Sequence, residues 1–187
     1  MEHRTLERCG FLLIAFLFVA FGVSLRADRY GNSETAMKRY IFEEAGEHLG
    51  EYVELLAVED IGRDRIVIFR RETKRPDEVW FVRFRQNEDG NYEGYAPATP
   101  QRMYCAYPGS GIYSEAISGW YDDATVYYTV WSENPKLDTM TFQLDDGAVQ
   151  EIKIEENPSL TVIEFQSRPS GFGIRTTCYD SEGNEIM

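Results

Sequence analysis

Histidine and cysteine are almost missing from this chain: two His and three Cys occur in 187 residues. His3 stands in the N-terminal tail, and His48 follows the first predicted helix as a surface residue at its end. There is no GxSxG, and Ser110, in PGSGI, lies between glycines with no local base, so no nucleophile motif is present. CxxC pairs and zinc-type Cys/His spacings are absent too, and the sequence implies no metal and no cofactor. Basic residues are few, 19 against 32 acidic, and the net charge of −13 disfavours nucleic acid as a partner.

The scarce cations are concentrated. Residues 63–85 hold eight Arg/Lys against four Asp/Glu, whereas residues 86–187 hold five against seventeen. Arg70, Arg71, Lys74 and Arg75 cluster at the end of one predicted strand and its turn. Arg83 and Arg85 share a face of the next strand, because side chains alternate along a strand. If the two strands pair, these six cations converge on one patch, suited to an anionic ligand such as lipid head groups or an anionic cell-wall polymer. The alternative is cross-strand ion pairing with the chain's own carboxylates.

The longest uncharged apolar run is Phe11–Leu25, FLLIAFLFVAFGVSL, fifteen residues with one Ser. Spanning a bilayer takes about 20 apolar residues, and a signal-peptide core is shorter, so the run falls between the two. Small residues that suit cleavage are poorly placed at Ala20-Phe21-Gly22 and Leu25-Arg26-Ala27. Cys9 precedes the run, which argues against a lipoprotein. A buried core helix is the soluble alternative, but the run is apolar on every face, has no amphipathic period and stands at the start of the sequence. We read it as a non-cleaved signal anchor, with the N-terminus inside and the remaining domain extracytoplasmic. Secretion after cleavage is the alternative. Arg4 and Arg8 precede the run and Arg26, Arg29, Lys38 and Arg39 follow it, so flanking charge does not by itself favour an N-terminus inside; the short basic-tipped segment before an export-type apolar core does.

Beyond the anchor, residues 1–25, lies a linker with one amphipathic helix, residues 26–51. Ser33 is a plausible N-cap, and Ala36, Met37, Tyr40, Ile41 and Ala45 recur at helical spacing to Gly46. Its apolar face should lie on the β-domain, residues 52–187. There the period becomes two: residues 65–71, 79–86, 92–96, 125–131, 139–144, 148–154, 160–166 and 173–179 read as strands, and residues 52–59, whose pattern also fits a helix, are read as a strand with them. Residues 97–121, rich in Pro and Gly, read as a long loop with short extended pieces, a length that points to a functional excursion or an unrecognised element. Strands recurring about every ten residues predict a mainly β chain, an antiparallel β-sandwich or barrel-like domain.

Residues 92–131 hold eight of the twelve Tyr and two of the three Trp. Tyr104, Tyr107, Tyr113, Trp120 and Tyr121 are candidates for a sugar or peptide surface, since such rings bring contact area and a polar tip. A thick aromatic core is the alternative. Asp122 and Asp123 beside Trp120 have the composition of sugar-cleaving sites, which need two carboxyls roughly 5–10 Å apart; a solvated turn explains them as well. Asn87, Asp89, Asn91 and Glu93 alternate oxygens as in half a calcium loop, but Tyr92 and Ala98 stand where Gly and Glu belong, and a hairpin turn accounts for them. Cys105 and Cys178 are a candidate disulfide in an exported domain if their Cα atoms come within about 7 Å, and otherwise two buried thiols.

The chain closes on Asp180, Gly183, Glu185 and Ile186, a D-x-x-G-x-E-I turn. With the basic-tipped apolar N-terminus and the acidic juxtamembrane helix, this layout resembles small uncharacterised envelope proteins of Gram-positive bacteria. The resemblance implies a location, the cell membrane, and no activity or functional residue. The expected role is a membrane-tethered, non-catalytic binding or accessory module of the envelope, with the membrane as partner through Phe11–Leu25 and a cell-wall polymer, peptide or envelope protein as ligand. A glycan-acting enzyme using Asp122 or Asp123 is a different reading, and a structural partner docking through the 33–45 helix a third.

Overall fold

A computed structural model of the chain describes residues 30–44, 52–71, 78–95, 99–105, 108–118, 126–144, 149–165 and 174–186. Among these it is mainly β, with one helix and three antiparallel sheets, none closed into a barrel.

Helix α1 (Glu34–Glu44) starts where the cap is expected. Ser33 Oγ accepts from Ala36 N at 3.2 Å, satisfying a donor that no intrahelical carbonyl reaches, and Ser33 O accepts the first helical bond, from Met37 N at 2.9 Å. Glu34 complements the helix dipole and pairs with Lys38 one turn on, at 2.6 Å. Ala36, Met37 and Ile41 are buried, and Tyr40 meets the Phe84 ring edge-on with centroids 5.0 Å apart. The apolar stripe thus lies against the β-domain, as its spacing predicts. Ser33→Ala should cost about 1 kcal/mol, read as a lower urea midpoint at an unchanged slope.

The first sheet holds β1 (Val53–Ile61), β2 (Asp64–Arg71), β3 (Val79–Gln86), β4 (Tyr92–Gly94) and β5 (Gln101–Arg102). Its order is β1-β2-β3-β4, and β5 shares the outer edge of β3 with β4. The turn between β1 and β2 is two residues long, with Gly62 at φ 59°, a conformation that glycine adopts without strain. The second sheet runs β11 (Ser159–Phe165), β8 (Val126–Ser132), β7 (Ile112–Ser118), β6 (Tyr104–Cys105). The third runs β10 (Val149–Lys153), β9 (Thr139–Leu144), β12 (Ile174–Tyr179).

Strand alternation explains how these stack. On β3, Val82 and Phe84 turn to α1, together with Val53, Val67, Phe69 and Tyr92. Val79 and Phe81 turn the other way, with Ile66 and Ile68, onto Tyr113, Ile117, Tyr127 and Trp131 of the second sheet. The opposite face of the second sheet, Ile112, Val130 and Ile163, meets Met140, Phe142 and Cys178 of the third. The layers are therefore α1, first sheet, second sheet, third sheet. Both of the first two sheets are covered on both faces, which is why β2 and β3 read as nearly continuous apolar runs.

The main departure from the sequence reading is in residues 97–121: besides the short extended pieces β5 and β6 they hold a full strand, β7. Gly109 and Gly111, at φ 83° and 70°, belong to the turn that joins β6 to β7. The Pro/Gly punctuation therefore marks a hairpin. At the C-terminus, Asp180 Oδ1 accepts from Glu182 N and Asn184 N, Gly183 takes φ 82°, and Glu185 bridges back to Tyr179. The D-x-x-G-x-E-I sequence is a tight turn returning the chain to β12.

Candidate functional site

The densest polar chemistry among the described residues lies between the first and second sheets. Asp64 opens β2 directly after the Gly62 turn, and the antiparallel register sets it opposite Arg85. Alternation places Arg83 and Arg85 on the Phe81 face of β3, the face turned to the second sheet. Tyr127 reaches the same point from β8. Asp64 Oδ2 accepts from Arg83 Nη2 at 2.7 Å, Arg85 Nη2 at 2.8 Å and Tyr127 OH at 2.8 Å, and Oδ1 accepts from Arg85 Nε at 2.8 Å. The Arg85 pair is a two-bond fork, the strongest geometry for a carboxylate. Arg83 is 0% exposed and Asp64 2%. The Arg83 guanidinium lies 4.9 Å from the Tyr95 ring centre and 5.1 Å from that of Tyr127, and Arg85 lies 3.9 Å from Tyr95. The ring faces thus add to the carboxylate in stabilising one desolvated cation, Arg83, and one partly buried, Arg85.

Burial alone would push the Asp64 carboxyl up, but the hydrogen bonds from Arg85, Arg83 and Tyr127 outweigh it and hold the group below the usual carboxylate range. Burial, and then the bond to Asp64, drives the Tyr127 hydroxyl well above the ordinary phenol range. Neither group suits proton transfer near neutrality: the carboxylate is saturated by donors, and the phenol holds its proton. What the arrangement does is clamp one sheet to the next.

The other predicted residues are spread more widely. Arg70, on the same face as Asp64 but six residues along β2, bonds Glu133 Oε2 at 2.7 Å. Arg71 points to the opposite face and lies 4.2 Å from the Trp80 ring centre. Of the six cations expected on one patch, Arg83 and Arg85 come together, on Asp64; Arg70 and Arg71 are separate from them. Lys74 and Arg75 lie outside the described residues. Tyr104 is 67% exposed on β6, whereas Tyr113 is 6% exposed and packs toward the first sheet. Their registers, Tyr104 with Ser114 and Cys105 with Tyr113, put these two rings on opposite faces. Tyr107, Trp120, Tyr121, Asp122 and Asp123 lie outside the described residues.

No disulfide joins Cys105 to Cys178. Cys105 packs beside the core between the first and second sheets and Cys178 in the core between the second and third, so the second sheet stands between them. Burial pushes the Cys178 thiol up to about 11, which keeps it protonated. Asn87 Oδ1 accepts from Asp89 N and Asn91 N, and Asn87 Nδ2 donates to Glu93 Oε1, so the calcium-like oxygens build the β3–β4 turn. Among the described residues no cluster of three His, Cys, Asp or Glu side chains is arranged to hold a metal. No described helix is long and apolar enough to cross a membrane, and Phe11–Leu25 lies outside the described residues.

Sequence reasoning reached Arg83 and Arg85 but missed their partners Asp64, Tyr95 and Tyr127. The Gly62 turn signals where β2 begins, at Asp64, but it fixes only the β1–β2 register; the β2–β3 register that sets Asp64 against Arg85 has no such two-residue turn to announce it.

The class these features define is a layered, mainly antiparallel β-protein with a buried charge cluster between its first two sheets. No protein family, curated protein or solved structure matches the chain.

Proposed function

We propose that the chain is a non-catalytic binding or accessory module of a cell envelope, an extracytoplasmic β-sandwich tethered to the membrane by an anchor helix at Phe11–Leu25. The observation that carries this reading is the consumption of Asp64, Arg83, Arg85 and Tyr127 in one internal cluster. The buried charged residues serve cohesion between sheets, and an uncharged run of fifteen residues precedes the domain they hold together. Exposed Tyr104, with Tyr107, Trp120 and Tyr121 nearby in the sequence, is the place to look for a ligand such as a cell-wall polymer, a peptide or another envelope protein.

Fractionation with protease accessibility tests it. The full chain should sediment with membranes and resist carbonate extraction. Protease added to intact spheroplasts should degrade the β-domain. A soluble cytosolic chain, or a domain cut only after lysis, would overturn the reading.

A further inference from the structure

The described chain begins four residues after the apolar run, and it begins already fastened to the β-domain. Gly31 N donates to Tyr92 O at 2.6 Å, and Gly31 O accepts from Arg65 Nη1 at 2.8 Å. Asn32 Nδ2 donates to Asn91 Oδ1, and Asn32 Oδ1 accepts from Tyr92 N, both at 2.8 Å. Gly31 also lies flat on the Phe84 ring, where an added Cβ would fall 2.5 Å from Phe84 Cδ1. Arg65 is itself fixed, forked onto Asp60 at 2.6 and 2.7 Å and 4.0 Å from the Tyr92 ring centre. Residues 30–33 therefore form a strap on one end of the first sheet.

That end is braced. Gln86 N donates to Arg63 O at 2.8 Å and Arg63 Nη2 to Gln86 O at 2.7 Å, tying the β1–β2 turn to the start of the β3–β4 turn. Asn87 O and Asn87 Oδ1 close the latter turn on Gly90 N, Asp89 N and Asn91 N.

We infer that this end of the first sheet, the turns at residues 62–63 and 87–91 with the strap 30–33, is the surface the domain turns to the hydrated headgroup layer of the bilayer. The inference rests on the anchor reading above. From Leu25 to Gly31, the first fastened residue, the chain makes six Cα steps, which reach no farther than about 22 Å in any conformation. A domain strapped at Gly31 keeps this end within that reach of the headgroups. The far end of the sheet, where Glu54 pairs with Arg70, lies about 20 Å farther along the strands. The chemistry of the near end suits water and headgroups rather than acyl chains. Arg63, Asn32, Glu88 and Asp89 are exposed there, and the exposed large hydrophobics among the described residues, Phe42, Tyr52, Val58, Tyr104 and Val149, are all elsewhere. With Glu88 and Asp89 on its surface, this end is held by the short neck and not by attraction to anionic lipid.

A fluorescent amino acid placed at Asp89 or at Glu54 of the full chain tests this. The protein is reconstituted in phosphatidylcholine vesicles that carry a headgroup-attached spin-label quencher. Quenching should be several-fold stronger at 89 than at 54. A long Gly/Ser insertion between Ala27 and Asp28, which leaves every described residue unchanged, should abolish the difference. Equal or reversed quenching in protein that still floats with the vesicles overturns the inference alone. So does a difference that survives the insertion, because surface attraction would then set the orientation. Protein that fails to float overturns the anchor reading, and this inference with it.

Discussion

Asp64→Ala should destabilise the fold by about 3–5 kcal/mol, the usual result of removing one partner from a buried, hydrogen-bonded ion pair. Set against a domain stability of about 5–15 kcal/mol, that is enough to make folding marginal. The loss does not fall equally on the two arginines. The Arg85 side chain is 24% exposed and can turn toward water, whereas that of Arg83 is 0% exposed and keeps a desolvated charge. Tyr127→Phe removes a single neutral donor and should cost only about 1 kcal/mol. The double change Asp64→Leu with Arg83→Met should recover much of the Asp64→Ala loss, since an apolar pair of similar volume leaves no orphaned charge. Urea titrations of the four proteins give the comparison. An Asp64→Ala protein within about 1 kcal/mol of the parent would mean that Arg83 is not held by this carboxylate.

The same cluster sets an acid dependence. Asp64 titrates lower in the folded chain than its unfolded value of about 3.9. A depressed folded pKa contributes stability that is complete above the unfolded value and is lost as pH falls through the folded one. Asp60, lowered chiefly by its bond from Arg65, acts in the same direction. The parent should therefore lose stability below about pH 4, and Asp64→Ala should lose less over that range.

How much of this was legible in the sequence follows from how local each feature is. β3 was read with its observed limits, because VWFVRFRQ combines β-branched and aromatic residues with flanking turn signals. The Ser33 cap and the helix behind it depend on neighbours within one turn, and they were legible too. β7, IYSEAIS, was not, because its apolar residues are divided between two cores. Ile112 serves one and Tyr113 and Ile117 the other, so no single hydrophobic stripe appears. Arg83 and Arg85 were correctly assigned to a shared face, yet that face proved to be the interior. Their partner Asp64 is 19 and 21 positions away, and Tyr127 reaches Asp64 from 63 positions away. No periodicity encodes a contact at that separation. Of the two readings open for Cys105 and Cys178, a disulfide or free thiols, the sequence could not choose for the same reason: which core each thiol enters depends on which face of the second sheet it meets.

The shared position of the second sheet leads to the last expected result. Phe81→Ala, between the first and second sheets, and Phe142→Ala, between the second and third, should each cost about 3–5 kcal/mol. Both rings are about 1% exposed, and Phe142 also meets Tyr128 edge-on with centroids 5.7 Å apart. The costs matter less than how unfolding responds. β8 sends Tyr127 and Trp131 into one core and Val130, with Tyr128 at its margin, into the other, so neither core can open without disturbing the strand they share. Each truncation should therefore shift one common transition, reported alike by far-UV circular dichroism and tryptophan fluorescence. The milder Phe81→Leu and Phe142→Leu, at about 1 kcal/mol each, allow the double variant to be measured. Their effects should add to within about 0.5 kcal/mol, because the two rings face opposite sides of the second sheet. If Phe142→Ala instead produced a separate early transition that left the fluorescence unchanged, the third sheet would be an independent unit and the second sheet would not couple the layers.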